Sequence, residues 1–149
     1  MDLRELDSRV RLSVYHHFVR GGLAPTTRDV GDELGASPAL IAESFERLAR
    51  AHVLVLDPVT RKLWMAMPFS AVPTAFRVRS SSGEWWANCA WDALGISAML
   101  QSPVEIISSS SDCGDPPPIR TTGRALSSGT GVVHFAVPAV AWWDDIGFT

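Results

Sequence analysis

Apolar residues at positions 6, 10, 14 and 18 recur every fourth place, and with Leu12 and Tyr15 they predict an amphipathic helix ending at Gly21-Gly22. Thr26 or Thr27 then starts a second helix, carrying Val30 and Leu34 and closed by Gly35. Ser37 is the N-cap of a third, with Pro38 at its first position and Leu40, Ile41, Phe45 and Leu48 on its apolar side. The period next drops to two. H-V-L-V-L-D and K-L-W-M-A-M flank a turn at Pro58 to Arg61, which predicts a β-hairpin. Helix, helix-turn-helix and hairpin follow one another as in a winged-helix module, assigned here to residues 1–67.

Past Pro68 the pattern becomes short β-like runs broken by Ser, Gly and Pro. T-A-F-R-V-R-S alternates Phe76 and Val78 with Arg77 and Arg79, as a half-buried strand does, and Ser81-Ser82-Gly83 turns the chain. Trp85 to Leu100 is almost wholly apolar and rich in Ala, Leu and Met, which predicts a buried helix. P-V-E-I-I-S, P-I-R-T-T-G-R-A-L and G-V-V-H-F-A-V follow as further strands. The expected fold is α+β. An N-terminal winged-helix-like helical module precedes a small mixed or antiparallel β-sheet domain, residues 68–149, with a central buried helix.

Within the apolar stretch stand one thiol, Cys89, and one charge, Asp92. Three places apart on a helix, they share a face. A buried carboxylate is costly unless compensated, and a soft nucleophile beside a proton carrier is a chemical pair. The plainer alternative is a core cysteine next to an Asp that caps a helix or pairs with a distant group. Cys113, in the loop S-S-D-C-G-D-P-P-P, reads as a structural or exposed thiol. His134 reads as a core residue on its apolar strand, and His16, His17 and His52 as structural. The serines from Ser108 to Ser111 lack any nucleophile motif around them.

Composition narrows the field. At 46% hydrophobic and 19% charged, the chain can build a core and does not read as disordered. No apolar run is long enough to span a membrane, and M-D-L-R-E-L-D is too charged for a signal peptide. Two cysteines in no zinc or redox spacing suggest a reduced, cytoplasmic protein. Residues 1–67 carry nine Lys/Arg against nine Asp/Glu, and the third helix offers Glu43 and Glu46 beside Arg47 and Arg50. Nucleic acid is therefore not an expected partner.

Taken together, the strand with Phe76, the turn at Gly83, W-x-N-C-A-W-D-A-L, S-S-S-S-D-C-G and G-V-V-H-F-A-V-P resemble the organomercurial (alkylmercury) lyases. The resemblance implies protonolysis of a carbon–mercury bond, releasing a hydrocarbon and Hg(II), and a place in mercury resistance. Cys89 would be the thiolate that takes mercury, and Asp92 the proton shuttle and auxiliary ligand. Cys113 would match the family's structural cysteine, while Trp85, Trp86 and Trp91 would wall the site from water. A soft thiolate suits a soft metal, and a cysteine near a helix start ionises more readily. No resident cofactor is implied, only an organomercurial or soft metal ion as partner and external small thiols to remove the product. The family's second active-site cysteine has no counterpart, so the chain is either C-terminally truncated or without that thiol. Two other readings stay open: a non-catalytic mercury- or copper-binding protein, including a metal-responsive winged-helix regulator, and an interaction domain keeping only the fold.

Overall fold

The computed structural model describes residues 2–109 and 114–147. Three helices open the chain: α1 (Leu3–Gly21), α2 (Thr27–Leu34) and α3 (Pro38–Arg50). Each starts at a side-chain cap. Asp2 accepts from the Arg4 amide, Thr26 and Asp29 close a reciprocal capping box, and Ser37 accepts from the Leu40 amide ahead of Pro38. Leu6, Val10, Val14 and Phe18 form the buried stripe of α1, each at most 1% exposed. Burying such a side chain contributes about 1.5–3 kcal/mol. Leu12 lies off this stripe and faces outward.

Among the described residues one antiparallel sheet of eight strands follows: β1 (Val55–Leu56), β2 (Leu63–Ala66), β3 (Phe69–Ser70), β4 (Phe76–Ser80), β5 (Gly83–Ala87), β6 (Val104–Ser108), β7 (Ile119–Thr121) and β8 (Leu126–Ser128). The spatial order is β1-β2-β3-β5-β4-β6-β7-β8. The sheet is continuous across Pro68, because β2 pairs with β3 through Met65 opposite Ser70. At the β1–β2 turn, the Asp57 carboxylate accepts from the amides of Val59 and Thr60. Helix α4 (Ala90–Leu100) lies between β5 and β6 in the chain and packs against β4, β5 and β6. The fold is α+β, with an antiparallel sheet.

Three expectations need correction. The helix does not begin at Trp85: Trp85 and Trp86 belong to β5, opposite Val78 and Arg77 of β4. Aromatic residues after a tight turn suit a hairpin, and there the pairing prevails over the helical composition that follows. Helix α4 is buried only in part. Ala93, Ile96 and Ser97 face the core, whereas Trp91 is 66% and Met99 47% exposed, because the sheet covers only one side of it. G-V-V-H-F-A-V forms no strand; the chain runs irregularly from Gly129 to Pro138 and then makes a 3-10 turn over Ala139–Asp144. Gly129 and Gly131 adopt positive φ there, and Val132 is 93% exposed. Without a partner strand the alternating pattern has no face to bury, so His134 is exposed rather than a core residue.

Helix α1 is fastened to the sheet at its C-terminal end. Gly22 caps it in the left-handed region, and a Cβ added there would lie 2.5 Å from the Glu84 carbonyl oxygen of β5. Beside it, the Trp85 indole N–H donates to the Phe18 carbonyl at 2.7 Å, and Phe18 stacks on Phe69 with ring centres 5.2 Å apart.

Candidate functional site

Strand β5 ends at Ala87, and the next two residues lead directly into α4. Cys89 is the N-cap of that helix, in extended conformation, and its Sγ accepts from the Asp92 backbone N–H at 3.4 Å. Asp92 sits in the first turn. The two are brought together as the sequence suggests, with the thiol at the helix entrance rather than inside it. Asn88, not singled out from sequence, completes the group. Its Nδ2 donates to Asp92 Oδ2 at 3.0 Å and to the Phe69 carbonyl at 3.3 Å. Its Oδ1 is buried and has no hydrogen-bond partner among the described residues.

Burial sets the ionisation of both groups. Desolvation raises the Asp92 carboxyl above the ordinary carboxylate value, against the opposing hydrogen bonds of Asn88 and Cys89. Arg77 and Arg79 do not reach it, because both pair with Glu84 at 3.4 and 2.7 Å. Desolvation also raises the Cys89 thiol, with the Asp92 charge adding to it and the helix-end amides pulling the other way. The expectation that a helix start makes this thiol more readily ionised is therefore reversed. Removal from water outweighs the amides. The negative charge of Asp92 also adds to the mainly burial-driven rise of the Tyr15 phenol, whose O–H donates to the Met67 carbonyl at 2.8 Å.

Cys89, Asp92 and Asn88 line a cleft of about 320 Å³ whose other walls are largely apolar. Its aromatic side chains are Trp64 from β2, Trp91 from α4, and Phe135 and Trp142 from the C-terminal segment. The expected wall of Trp85, Trp86 and Trp91 is thus only partly present. Strand alternation turns Trp85 into the core at 2% exposure and sends Trp86 to the other face, beneath the Arg77 guanidinium. Trp64, Phe135 and Trp142 escaped the sequence reading because their distance along the chain from Cys89 hides their proximity in space.

The remaining described candidates lie elsewhere. Cys113, with Ser110 and Ser111, falls outside the described residues. His17 pairs with Glu33 at 3.2 Å, His16 is exposed, and His52 stacks on Trp143 with centres 4.0 Å apart. Among the described residues no three His, Cys, Asp or Glu side chains cluster as a metal site. On α3, Arg47 is bound by Asp7 at 2.7 Å, and Glu46 holds Arg61. No helix among the described residues is long and apolar enough to cross a membrane.

The pattern of the alkylmercury lyase family, MerB, matches residues 69–149, more than half of the chain and including the whole Asn88-Cys89-Asp92 group. The chain belongs to the alkylmercury lyase family. A search of curated proteins returns no match. Among solved structures, the mercury-bound form of MerB2 is similar at a TM-score of 0.61 and 19% identity, over 85% of this chain. The chain spans 66% of the length of that structure. At this identity the likeness is one of fold, and it extends the α+β assignment into the helices that precede residue 69.

Proposed function

We propose that this alkylmercury lyase family member cleaves carbon–mercury bonds by protonolysis, with Cys89 as the mercury-binding sulfur and Asp92 as the proton carrier. One observation carries the reading: a thiol and a carboxylate meet at one helix start, in an apolar cleft that desolvates both. The Cys89 sulfur displaces the weaker ligand X from R–Hg–X, and the thiol proton leaves to solvent with X. The Asp92 carboxylic acid, its protonated form favoured by burial, then delivers its own proton to the carbon bound to mercury. The carbon–mercury electron pair becomes the new C–H bond, R–H leaves, and Hg(II) stays on the Cys89 sulfur with the Asp92 carboxylate beside it. No electrons are gained or lost. Two external small thiols then carry Hg(II) away, which suits a reducing cytoplasmic setting and a role in mercury resistance. Being raised by burial, Asp92 holds its proton to higher pH than an exposed carboxylate would.

Capture of a soft metal ion without turnover is the second reading. It is favoured by the single free thiol, Cys89, among the described residues. Incubation with an organomercurial and excess small thiol, followed by gas chromatography of the headspace, separates the two. Catalytic release of the hydrocarbon is expected. A stoichiometric adduct at Cys89 with no hydrocarbon would overturn the lyase reading in favour of capture.

A further inference from the structure

The C-terminal segment contributes to the cleft although it adds no strand to the sheet. Phe135 and Trp142 lie on it with ring centres 5.0 Å apart, and the Trp142 indole N–H donates within the segment to the Val137 carbonyl at 2.8 Å. That bond satisfies the indole's polar edge, so the ring can serve as apolar surface. The same segment closes on Trp64, because a Cβ added at Gly147 would lie 2.5 Å from that ring. Trp91 of α4 lines the same cleft as Cys89 and Asp92.

Apart from the unpartnered Asn88 Oδ1, the uncharged polar side chains of the cleft are engaged with the protein. Ser70 donates to the Val72 carbonyl at 2.8 Å, and Thr74 donates to the carbonyls of Ala87 and Phe76. Among the described residues, Cys89 and Asp92 are the only ionisable side chains lining it, and both take part in the proposed reaction. No cation among the described lining residues can meet a charged substituent, and an ionised Asp92 would repel an anionic one.

We infer that Phe135 and Trp142, which line the cleft together with Trp64 and Trp91, bind the organic group of the mercurial and select a flat, uncharged aryl group over a methyl group. The inference rests on the proposed reading that mercury is bound at Cys89. A phenyl ring on mercury can stack on these rings and bury its faces, whereas a methyl group offers little area for either.

The test is the exchange equilibrium between Cys89 and glutathione for phenylmercury, methylmercury and p-mercuribenzoate. One mercury–sulfur bond replaces another in each exchange, so differences between probes report on contacts made by the organic group. Protection of Cys89 from alkylation, read by peptide mass spectrometry, gives the constants. The expected constant for phenylmercury exceeds those for methylmercury and p-mercuribenzoate by tenfold or more. Trp142→Ala and Phe135→Ala should each reduce the phenyl-to-methyl ratio at least fivefold, with little change for methylmercury. Should either variant lose its native circular dichroism, Trp142→Leu and the exposed Trp91→Ala supply the same comparison. A phenyl-to-methyl ratio near one, or one unchanged in the variants, would overturn the inference. Hydrocarbon release, followed separately, decides whether the lyase reading holds, because the exchange constants need no turnover.

Discussion

Cys89 serves the helix and the chemistry with one atom, and the two roles can be separated. Serine caps helices well, so Cys89→Ser should keep α4 in place, with a melting temperature equal to or above that of the parent and up to about 1 kcal/mol of added stability. Mercurial capture in the cleft should fall at least a hundredfold, as measured by competition with glutathione. Because the thiol is raised, the reactive thiolate is scarce at neutral pH. The capture rate should climb about tenfold per pH unit from pH 6 to 8, the slope of a single deprotonation below its midpoint. A flat profile would mean that another group governs capture. Asp92→Asn removes the proton carrier and should abolish hydrocarbon release while sparing capture. Its effect on stability has a definite sign. A carboxyl raised by burial stays protonated in the folded chain while the unfolded chain ionises, so it costs stability progressively as pH rises past its ordinary value of 3.8. Asp92→Asn should therefore melt at or above the parent at pH 7 and lose that advantage near pH 3.

Elements were legible where one physical signal dominated. The four-residue spacing of Leu6, Val10, Val14 and Phe18, the helix start at Thr26 or Thr27, the cap at Ser37, and the hairpin turn after Asp57 are local, and the folded chain keeps them, with Thr26 as the cap of α2. Trp85 and Trp86 were harder to place, because strand and helix abut with only Asn88 and Cys89 between them. Composition averaged over the stretch hides that boundary. The 131–137 run failed for the opposite reason: alternation promises a strand only if an edge is there to receive it, and no sequence pattern reports the edge. Gly22 yields a prediction at this scale. Gly22→Ala faces both a positive φ of 66° and the Glu84 carbonyl 2.5 Å from the new Cβ. A loss of about 2 kcal/mol or more is expected from chemical denaturation, well above an ordinary surface substitution.

At the scale of the whole molecule, the reactive pair depends on residues outside the matched 69–149 stretch. Phe69 stacks on Phe18, Trp85 bonds to the Phe18 carbonyl, and β3 pairs with β2. A fragment beginning at Phe69 would expose Phe69 and Trp85 and leave β3 without a neighbour on one side. Such a fragment should show no cooperative thermal transition and should bind a hydrophobic dye. A sharp transition would show instead that the sheet stands without α1. The contacts that create this dependence, Phe18 on Phe69 and Trp85 on the Phe18 carbonyl, join positions too far apart in the chain for a sequence pattern to report. The Cys89–Asp92 pair was readable because its members stand three positions apart in the chain. Its aromatic surroundings come from the distant Trp64 and Trp142, which only tertiary structure brings together.

The division of the tryptophans between core and cleft gives the protein an optical signal of its own. Trp85 is sealed in the core and should emit at short wavelength, whereas Trp91 is largely exposed and should emit further to the red. Mercury is a heavy atom that quenches nearby indoles, and Trp64, Trp91 and Trp142 share the cleft with Cys89. Titration with one equivalent of a mercurial should therefore dim the red side of the emission band and leave its blue side, shifting the remaining spectrum to shorter wavelength. Uniform dimming across the band would place the bound metal away from Cys89. Each binding event at this thiol is thus reported without a label, by rings that the fold has already sorted into those that see the metal and those that do not.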